Sequence, residues 1–356
     1  LTLCNDFYNQ QVLKEGYKIA PGYTTPPPLN LPEYLEEIAK YPISDSPELF
    51  GLHMNADLNL KQTDSFNVLT DILATRPRGN AGGGGSSSAG ANNAMIQLVN
   101  SLLRKVPQPL DMAVIHEKFP SIYEESMNTV LQQEAVRYND LLKLVKTSME
   151  SLIKAMKGLI VFTSELEEMS TALDQNLVPP NWSAIAYPSM KPLNSWMNDL
   201  NDRIKFLRDW VEFGQPRCFW ISGFFFPQAF LTGTKQNFAR KYKVPIDEVS
   251  FDFQVLDKGP QRIIRPPADG VYIYGLFLEA AAFDVINMKI VDAQPRQLTQ
   301  EMPVIWLKPV QKRVPPTKGV YNCPVYKIGT RKGVLTTTGH SSNYVLTIEL
   351  PTDTDE

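Results

Sequence analysis

The hydrophobic period changes once along this sequence, near Pro216, and that change limits the fold more than any other feature. Upstream, apolar residues recur every three or four positions. Tyr138, Leu141, Val145, Met149, Leu152, Met156 and Leu159 form one stripe, and Lys143, Lys146, Glu150, Lys154 and Lys157 lie off it. This spacing predicts an amphipathic helix from about Tyr123 past Met156, with one buried face. Trp196, Leu200, Ile204, Leu207 and Val211 predict another. Its acids Asp199 and Asp202 come early and its bases Lys205 and Arg208 late, which complements the helix dipole. Downstream, Phe251, Phe253 and Val255 alternate with Ser250, Asp252 and Gln254, and Tyr344, Leu346, Ile348 and Leu350 alternate in the same way. Alternation of this kind is the period of a half-buried strand. Gly270–Phe283, Val304–Val310 and Val320–Ile328 add strand candidates, and Pro227–Tyr242 predicts one helix with proline in its first turn. The expected class is α+β. An N-terminal helical part, a helix bundle with a Gly/Ser loop insertion, is followed by a small antiparallel β-barrel.

The first 55 residues mix short helix with proline punctuation. Pro26-Pro27-Pro28 cannot be helical, Pro32–Ile38 predicts a short helix, and Ser44-Asp45-Ser46-Pro47-Glu48 predicts a turn or cap. A further helix is expected over Ser65–Ala74, with Phe66, Leu69, Ile72 and Leu73 on one side. The run from Gly79 to Gly90 has almost no side chain to bury and is expected as a flexible loop before a helix over Ala94–Arg104. The domains expected are therefore 1–55, 56–215 and 216–356.

Composition narrows the function classes. With 43% hydrophobic and 21% charged residues, the 356-residue chain has enough apolar surface for a core. Its densest apolar run, Cys218–Phe226, is too short to span a bilayer, so no membrane role is expected. A formal charge of -3 gives no field that would attract nucleic acid. Three widely spaced cysteines, Cys4, Cys218 and Cys323, suit a reducing, cytoplasmic compartment better than a disulfide framework. The chain opens at Leu1-Thr2-Leu3-Cys4-Asn5-Asp6, without Met and as though cut within a helix, so a piece of a longer protein is expected.

No catalytic constellation emerges. GxxxxGK[ST] is absent, and Gly233-Thr234-Lys235 is its nearest echo. His53, His116 and His340 lie in unrelated segments with no metal-ligand spacing. Gly339-His340-Ser341 lacks the strand–turn–helix setting of a nucleophile elbow. Glu36-Glu37 and Glu167-Glu168 suit solvated helix faces. The expectation is no catalytic, cofactor-binding or metal-binding residue. Arg240, Lys241, Lys243, Lys312, Arg313, Lys318, Arg331 and Lys332 make the C-terminal part locally basic. Such charges either guard strand edges or form a docking face for a protein partner, the latter suiting a free-standing interaction module.

The most specific string runs Trp220-Ile221-Ser222-Gly223-Phe224-Phe225-Phe226-Pro227-Gln228-Ala229-Phe230-Leu231-Thr232-Gly233-Thr234, continuing to Tyr242. It closely resembles the C-terminal domain of axonemal dynein heavy chains. Asp6-Phe7-Tyr8-Asn9 and Phe50-Gly51-Leu52-His53-Met54-Asn55-Ala56-Asp57 are similar to the end of the small helical subdomain of that family's sixth AAA+ module. Asp269–Ala280, Met302-Pro303-Val304-Ile305-Trp306 and Tyr321–Lys327 resemble its barrel, while the Gly/Ser run at 79–90 departs from the family pattern. The resemblance implies a non-catalytic ring-capping and regulatory segment of a minus-end-directed microtubule motor of cilia and flagella. ATP and Mg would bind in earlier modules, outside this chain. The implied partners are the remaining AAA+ modules, other dynein subunits and microtubules, and the implied location is the cytoskeleton of the axoneme. Phe224, Phe225, Phe226, Pro227, Gln228, Phe230 and Thr232 are the expected structural signature. Three adjacent aromatics cannot share one face, so they are expected to join the helical half to the barrel.

Overall fold

A computed structural model describes residues 8–10, 12, 14–20, 23–41, 43, 47–50, 52–74, 87–330 and 341–353. The expectations at Leu1–Asp6, Ser44-Asp45-Ser46, residues 79–86, Arg331, Lys332 and His340 lie outside the described residues. The protein divides into two compact units. The first comprises residues 1–76, 279–282 and 292–300, and the second 77–278, 283–291 and 301–356.

In the first unit, β1 (Lys18–Ala20) and β2 (Tyr23–Thr24) form an antiparallel pair. Helix α1 (Leu31–Lys40) starts with a capping box, in which Asn30 Oδ1 accepts from Glu33 N at 3.2 Å and Glu33 Oε2 accepts from Asn30 N at 3.1 Å. Helix α2 runs Asn55–Ala74, starting ten residues before the expected Ser65. Asn55 anchors that start, its Nδ2 donating to the carbonyls of Gln294 and Gln297 and its Oδ1 accepting from Arg296 N. Phe66, Leu69 and Ile72 share one side of α2, yet each is at least 60% exposed.

The second unit begins with α3 (Ser87–Lys105), α4 (Met112–Lys118) and α5 (Ser126–Met156). Helix α3 starts at Ser87, so its first turn takes up the end of the run expected as loop, and the helix is longer than Ala94–Arg104. Helix α5 buries Tyr138, Leu141, Val145, Met149 and Leu152 completely. It stops before Leu159 because Gly158, at φ 73°, turns the backbone left-handed. Leu159 N then donates to Lys154 O and Gly158 N to Ala155 O, a Schellman closure that throws Leu159 into solvent. Helices α6 (Ser164–Asp174), α7 (Pro180–Ile185) and α8 (Leu193–Phe213) complete the helical part.

The polypeptide then enters β3 (Phe219–Trp220), helix α9 (Pro227–Tyr242) and β4 (Val249–Val255). After these come β5 (Val271–Tyr274), β6 (Phe277–Glu279), β7 (Ala281–Asp284), β8 (Lys289–Asp292), β9 (Thr299–Glu301), β10 (Ile305–Gln311), β11 (Val320–Tyr326) and β12 (Tyr344–Pro351). The expected α+β class holds, but among the described residues no closed barrel is found. One sheet has the order β3-β5-β10-β4 and the other strands pair as two-stranded ribbons. The β3–β5 pair is parallel, which departs from the expected all-antiparallel arrangement.

The ladder stops for identifiable reasons. Val304 O accepts from Leu256 N and Glu248 O from Lys312 N, so the even-numbered residues of β10 bond to β4. Its odd-numbered residues face β5, where Ile305 and Leu307 find Ile273 and Val271. The next odd residue is Pro309, which has no N–H to donate, and the β5 ladder ends there. Gly270 precedes β5 at φ 77°, and a Cβ there would stand 2.0 Å from Leu307 O. On the other side, β4 and β12 are joined by a side chain. Arg313 Nη2 reaches Asp252 Oδ1 of β4 at 3.1 Å and Glu349 Oε2 of β12 at 2.6 Å. A guanidinium strut stands where closure would need backbone hydrogen bonds. The expected long strand over Gly270–Phe283 is likewise divided, at Gly275 (φ 84°) and Ala280 (φ 57°), into β5, β6 and β7.

Candidate functional site

Helices and sheet of the second unit share one continuous core, and the aromatic string lies where they meet. Phe224 is 3% exposed and Phe230 is fully buried. Their rings stack at 4.5 Å, Phe219 lies 4.9 Å from Phe230, and Trp210 packs edge-on to Phe219 at 5.3 Å. Phe225 is half-buried and turns the other way, meeting Tyr138 edge-on at 5.3 Å and Tyr187 at 6.0 Å. Phe226 is exposed, with Arg137 and Lys327 each over its ring at 5.2 and 5.4 Å. Pro227 is buried at the first position of α9. Gln228 Nε2 donates to Tyr344 O of β12 at 2.8 Å, and Thr232 is exposed. Six of the seven signature residues thus surround one turn, and Thr232 stands apart in solvent.

A carboxylate holds that turn. Glu134 of α5 is 0% exposed, and its two oxygens accept the backbone N–H groups of Phe225 and Phe226. Both donors lie just ahead of α9, Phe226 at its N-cap, and Pro227 after them has no N–H to offer. Arg137 approaches Glu134 at 3.4 Å. Burial raises the Glu134 pKa above its ordinary value, against the opposing pull of the two N–H groups and Arg137. One turn along, Tyr138 donates to Gly223 O at 2.8 Å, so α5 grips both ends of the aromatic segment.

A second charged cluster lies on α8. Asp199 is 5% exposed and Arg203 9%. Asp199 accepts from Arg203 Nε at 2.7 Å and Lys191 Nζ at 2.6 Å. The Arg203 guanidinium lies 3.8 Å from the centre of the Tyr187 ring, and its Nη1 reaches Tyr138 Oη at 3.4 Å. Burial pushes the Asp199 pKa up, but Arg203 and Lys191 outweigh it and hold the carboxyl below its usual value.

Asp199, expected early in its helix as a complement to the helix dipole, is thus also buried in an ion pair with Arg203. Glu134, Asp199 and Arg203 were missed because their types suggest a solvated face. Position was the available signal. Glu134 lies four residues before Tyr138, on the buried stripe, and Asp199 and Arg203 stand three residues after Trp196 and Leu200.

Cys218 carries a thiol pushed up to about 12 by burial, far from a reactive thiolate. Gly233-Thr234-Lys235 lies inside α9, where a Cβ on Gly233 would stand 3.2 Å from Val130 Cγ2, so glycine permits the close crossing of α9 and α5. Across the same crossing, Asn237 accepts from Ser126 N at 2.8 Å and donates to Glu125 Oε1 at 2.6 Å. Among the described residues there is no group of three or more His, Cys, Asp or Glu that could hold a metal ion, and no helix long and apolar enough to cross a membrane.

Comparison with known proteins matches two family models in sequence. The AAA lid domain of dynein heavy chains covers residues 1–56, and the C-terminal domain of dynein heavy chains covers residues 62–356. Dynein axonemal heavy chain 1 of Homo sapiens is 45% identical over 355 residues, covering 99% of this chain and 8% of the relative. Dynein axonemal heavy chain 3 of Homo sapiens is 42% identical over 357 residues, covering 99% and 8%, and dynein axonemal heavy chain 12 of Mus musculus is 42% identical over 356 residues, covering 99% and 11%. The protein thus spans about a tenth of the length of these relatives. With a family model matched over most of its residues, it belongs to the family of C-terminal domains of dynein heavy chains.

Proposed function

We propose that this protein is the C-terminal, non-catalytic segment of an axonemal dynein heavy chain. It would cap and regulate an ATP-driven, minus-end-directed microtubule motor of the ciliary or flagellar axoneme. The observation that carries the reading is the extent of the similarity. It covers 99% of the sequence and only 8–11% of relatives named as axonemal dynein heavy chains. The free-standing interaction module is not favoured, because the similarity runs into long heavy chains from one end of this sequence to the other.

In this reading ATP and Mg bind in other parts of the heavy chain, and this segment works by contact with them. The buried ionisable groups support it, since Glu134, Asp199 and Arg203 are all engaged in holding α5, α8 and the aromatic turn. The exposed apolar residues of the first unit also support it. Leu31, Leu35 and Ile38 on α1 and Phe66, Leu69 and Ile72 on α2 offer surface for the AAA+ modules of the same parent. Microtubules and other dynein subunits would be reached through the parent.

Calorimetric titration of the 356-residue protein with Mg-ATP tests the reading. No saturable binding and no hydrolysis are expected, and saturable binding with turnover would refute it. In the intact heavy chain, deleting the segment should leave ATP hydrolysis present and change its rate or its response to microtubules. An unchanged rate and response would remove the regulatory part.

A further inference from the structure

The second unit carries an open groove of about 620 Å³ between the end of β4, the loop that follows it and the β7–β8 turn. Its walls include Val255 and Tyr272, and its rim brings exposed aliphatic side chains and cations together. Ile264 is 77% exposed and Ile286 is 92% exposed, with Val285 beside them. Lys258, Arg262 and Arg265 line the same groove, and none makes an ion pair with a described residue. Asp257 is the sole acid in the lining.

The arginine strut shows what the fold does with a cation that serves the fold itself: Arg313 is gripped by two carboxylates. The groove cations are left uncompensated beside aliphatic side chains exposed to water. We infer that this groove docks a short acidic segment with large apolar side chains, presented by a separate protein. Its carboxylates would meet Lys258, Arg262 and Arg265, and its apolar side chains would cover Ile264 and Ile286. Charge complementarity sets the sign of the partner. The form of the groove sets its source. Permanent contacts within an assembly are broad and have centres depleted of charge, whereas a small, open groove with a charged rim suits a transient partner steered in by its field.

The test is a fluorescence anisotropy titration of the 356-residue protein with a labelled synthetic peptide alternating glutamate and leucine, compared with its glutamine counterpart. The glutamate peptide should bind at least tenfold more tightly, with the advantage shrinking as salt is added. Arg262→Glu with Arg265→Glu, and separately Ile264→Asp, should each weaken binding tenfold or more. These side chains lie on the groove rim, and unchanged circular dichroism and melting would show that the variants still fold. A variant that melts early is replaced by Arg262→Gln with Arg265→Gln or by Ile286→Ser, read in the same way. Equal binding of the two peptides, absence of binding, or affinity unmoved by the folded variants would overturn the inference. The titration is repeated on an intact heavy chain that includes this segment. Retained affinity supports a separate partner, whereas loss of binding there alone would give the groove to the parent and overturn the assignment. Neither failure bears on the family or on the ATP titration above.

Discussion

Replacing Asp199 by Asn tests how the buried charges stabilise the second unit. The carboxylate takes one hydrogen bond on each oxygen, from Lys191 Nζ at 2.6 Å and Arg203 Nε at 2.7 Å. The asparagine amide keeps one acceptor and turns an NH2 group towards the other donor. The two partners differ in what they then lose. The Lys191 side chain is 52% exposed and regains water, so it contributes little to the cost. The Arg203 side chain is 11% exposed, pinned between the Tyr187 ring and Tyr138, and its charge stays in the protein without a counter-ion. Breaking a buried pair from one side costs about 3–5 kcal/mol, and Asp199→Asn should fall in that range. Urea denaturation at pH 7 reads it directly. In the Asp199→Asn/Arg203→Met double variant the two losses should fall short of additive by more than about 1 kcal/mol. The pH dependence follows from the direction of the shift. Asp199 has its folded pKa below 3.8, so its stabilisation is complete at neutral pH and is lost as pH falls through the folded value. The gap between wild type and variant should stay level down to about pH 4 and then narrow. A loss under about 1 kcal/mol at pH 7 would refute the claim that Arg203 depends on this carboxylate.

Glu134→Gln should behave in the opposite sense. Its cost, about 1–3 kcal/mol from one spoiled hydrogen bond, should shrink as pH rises above 4.5, because the raised folded pKa makes ionisation of the native carboxyl itself destabilising. Urea midpoints at a series of pH values check this, and a penalty that grows with pH would count against it. Phe224→Ala should cost about 3–5 kcal/mol and Phe226→Ala about 1 kcal/mol or less, because the first ring is core and the second is exposed. Equal losses in denaturation would show that the string packs differently. Gly270→Ala should lower the melting temperature by more than the few degrees that correspond to about 1 kcal/mol, because its Cβ would meet Leu307 O at a left-handed backbone position.

The change of period near Pro216 was enough to read the α+β class, and the stripe from Tyr138 to Leu152 was readable because every third or fourth residue on it is apolar. The same stripe could not be followed to Leu159, since Gly158 ends the helix through its own backbone freedom and leaves no gap in the apolar pattern. Strand partners were less legible. Alternation says which face a residue takes, but not which edge its N–H seeks. The halt of the β5 ladder at Pro309 and the parallel placement of Phe219-Trp220 beside Ile273-Tyr274 depend on residues far apart in sequence. In the candidate site the aromatics stood out by their number. The clasp that holds them did not, because a glutamate on a helix is usually solvated, and only its register with Tyr138 gave it away. The groove cations were missed for a similar reason. Lys258, Arg262 and Arg265 look ordinary in a loop until Ile286 is brought beside them from the β7–β8 turn.

The Glu134 clasp joins positions 91 and 92 residues apart, and this separation has a consequence for biosynthesis. The ribosome delivers α5 and α8 before the groups that complete them exist. At about 5–20 residues per second, the interval between the synthesis of Trp210 and Phe230 is about 1–4 s. Early in it the nascent polypeptide holds a carboxylate whose backbone donors are not yet made, and a Trp210 ring without Phe219 and Phe224, and Phe230 joins those two rings last. A message that stops short of residue 224 would therefore release helices with an unsealed aromatic seam, a substrate for chaperones and proteases.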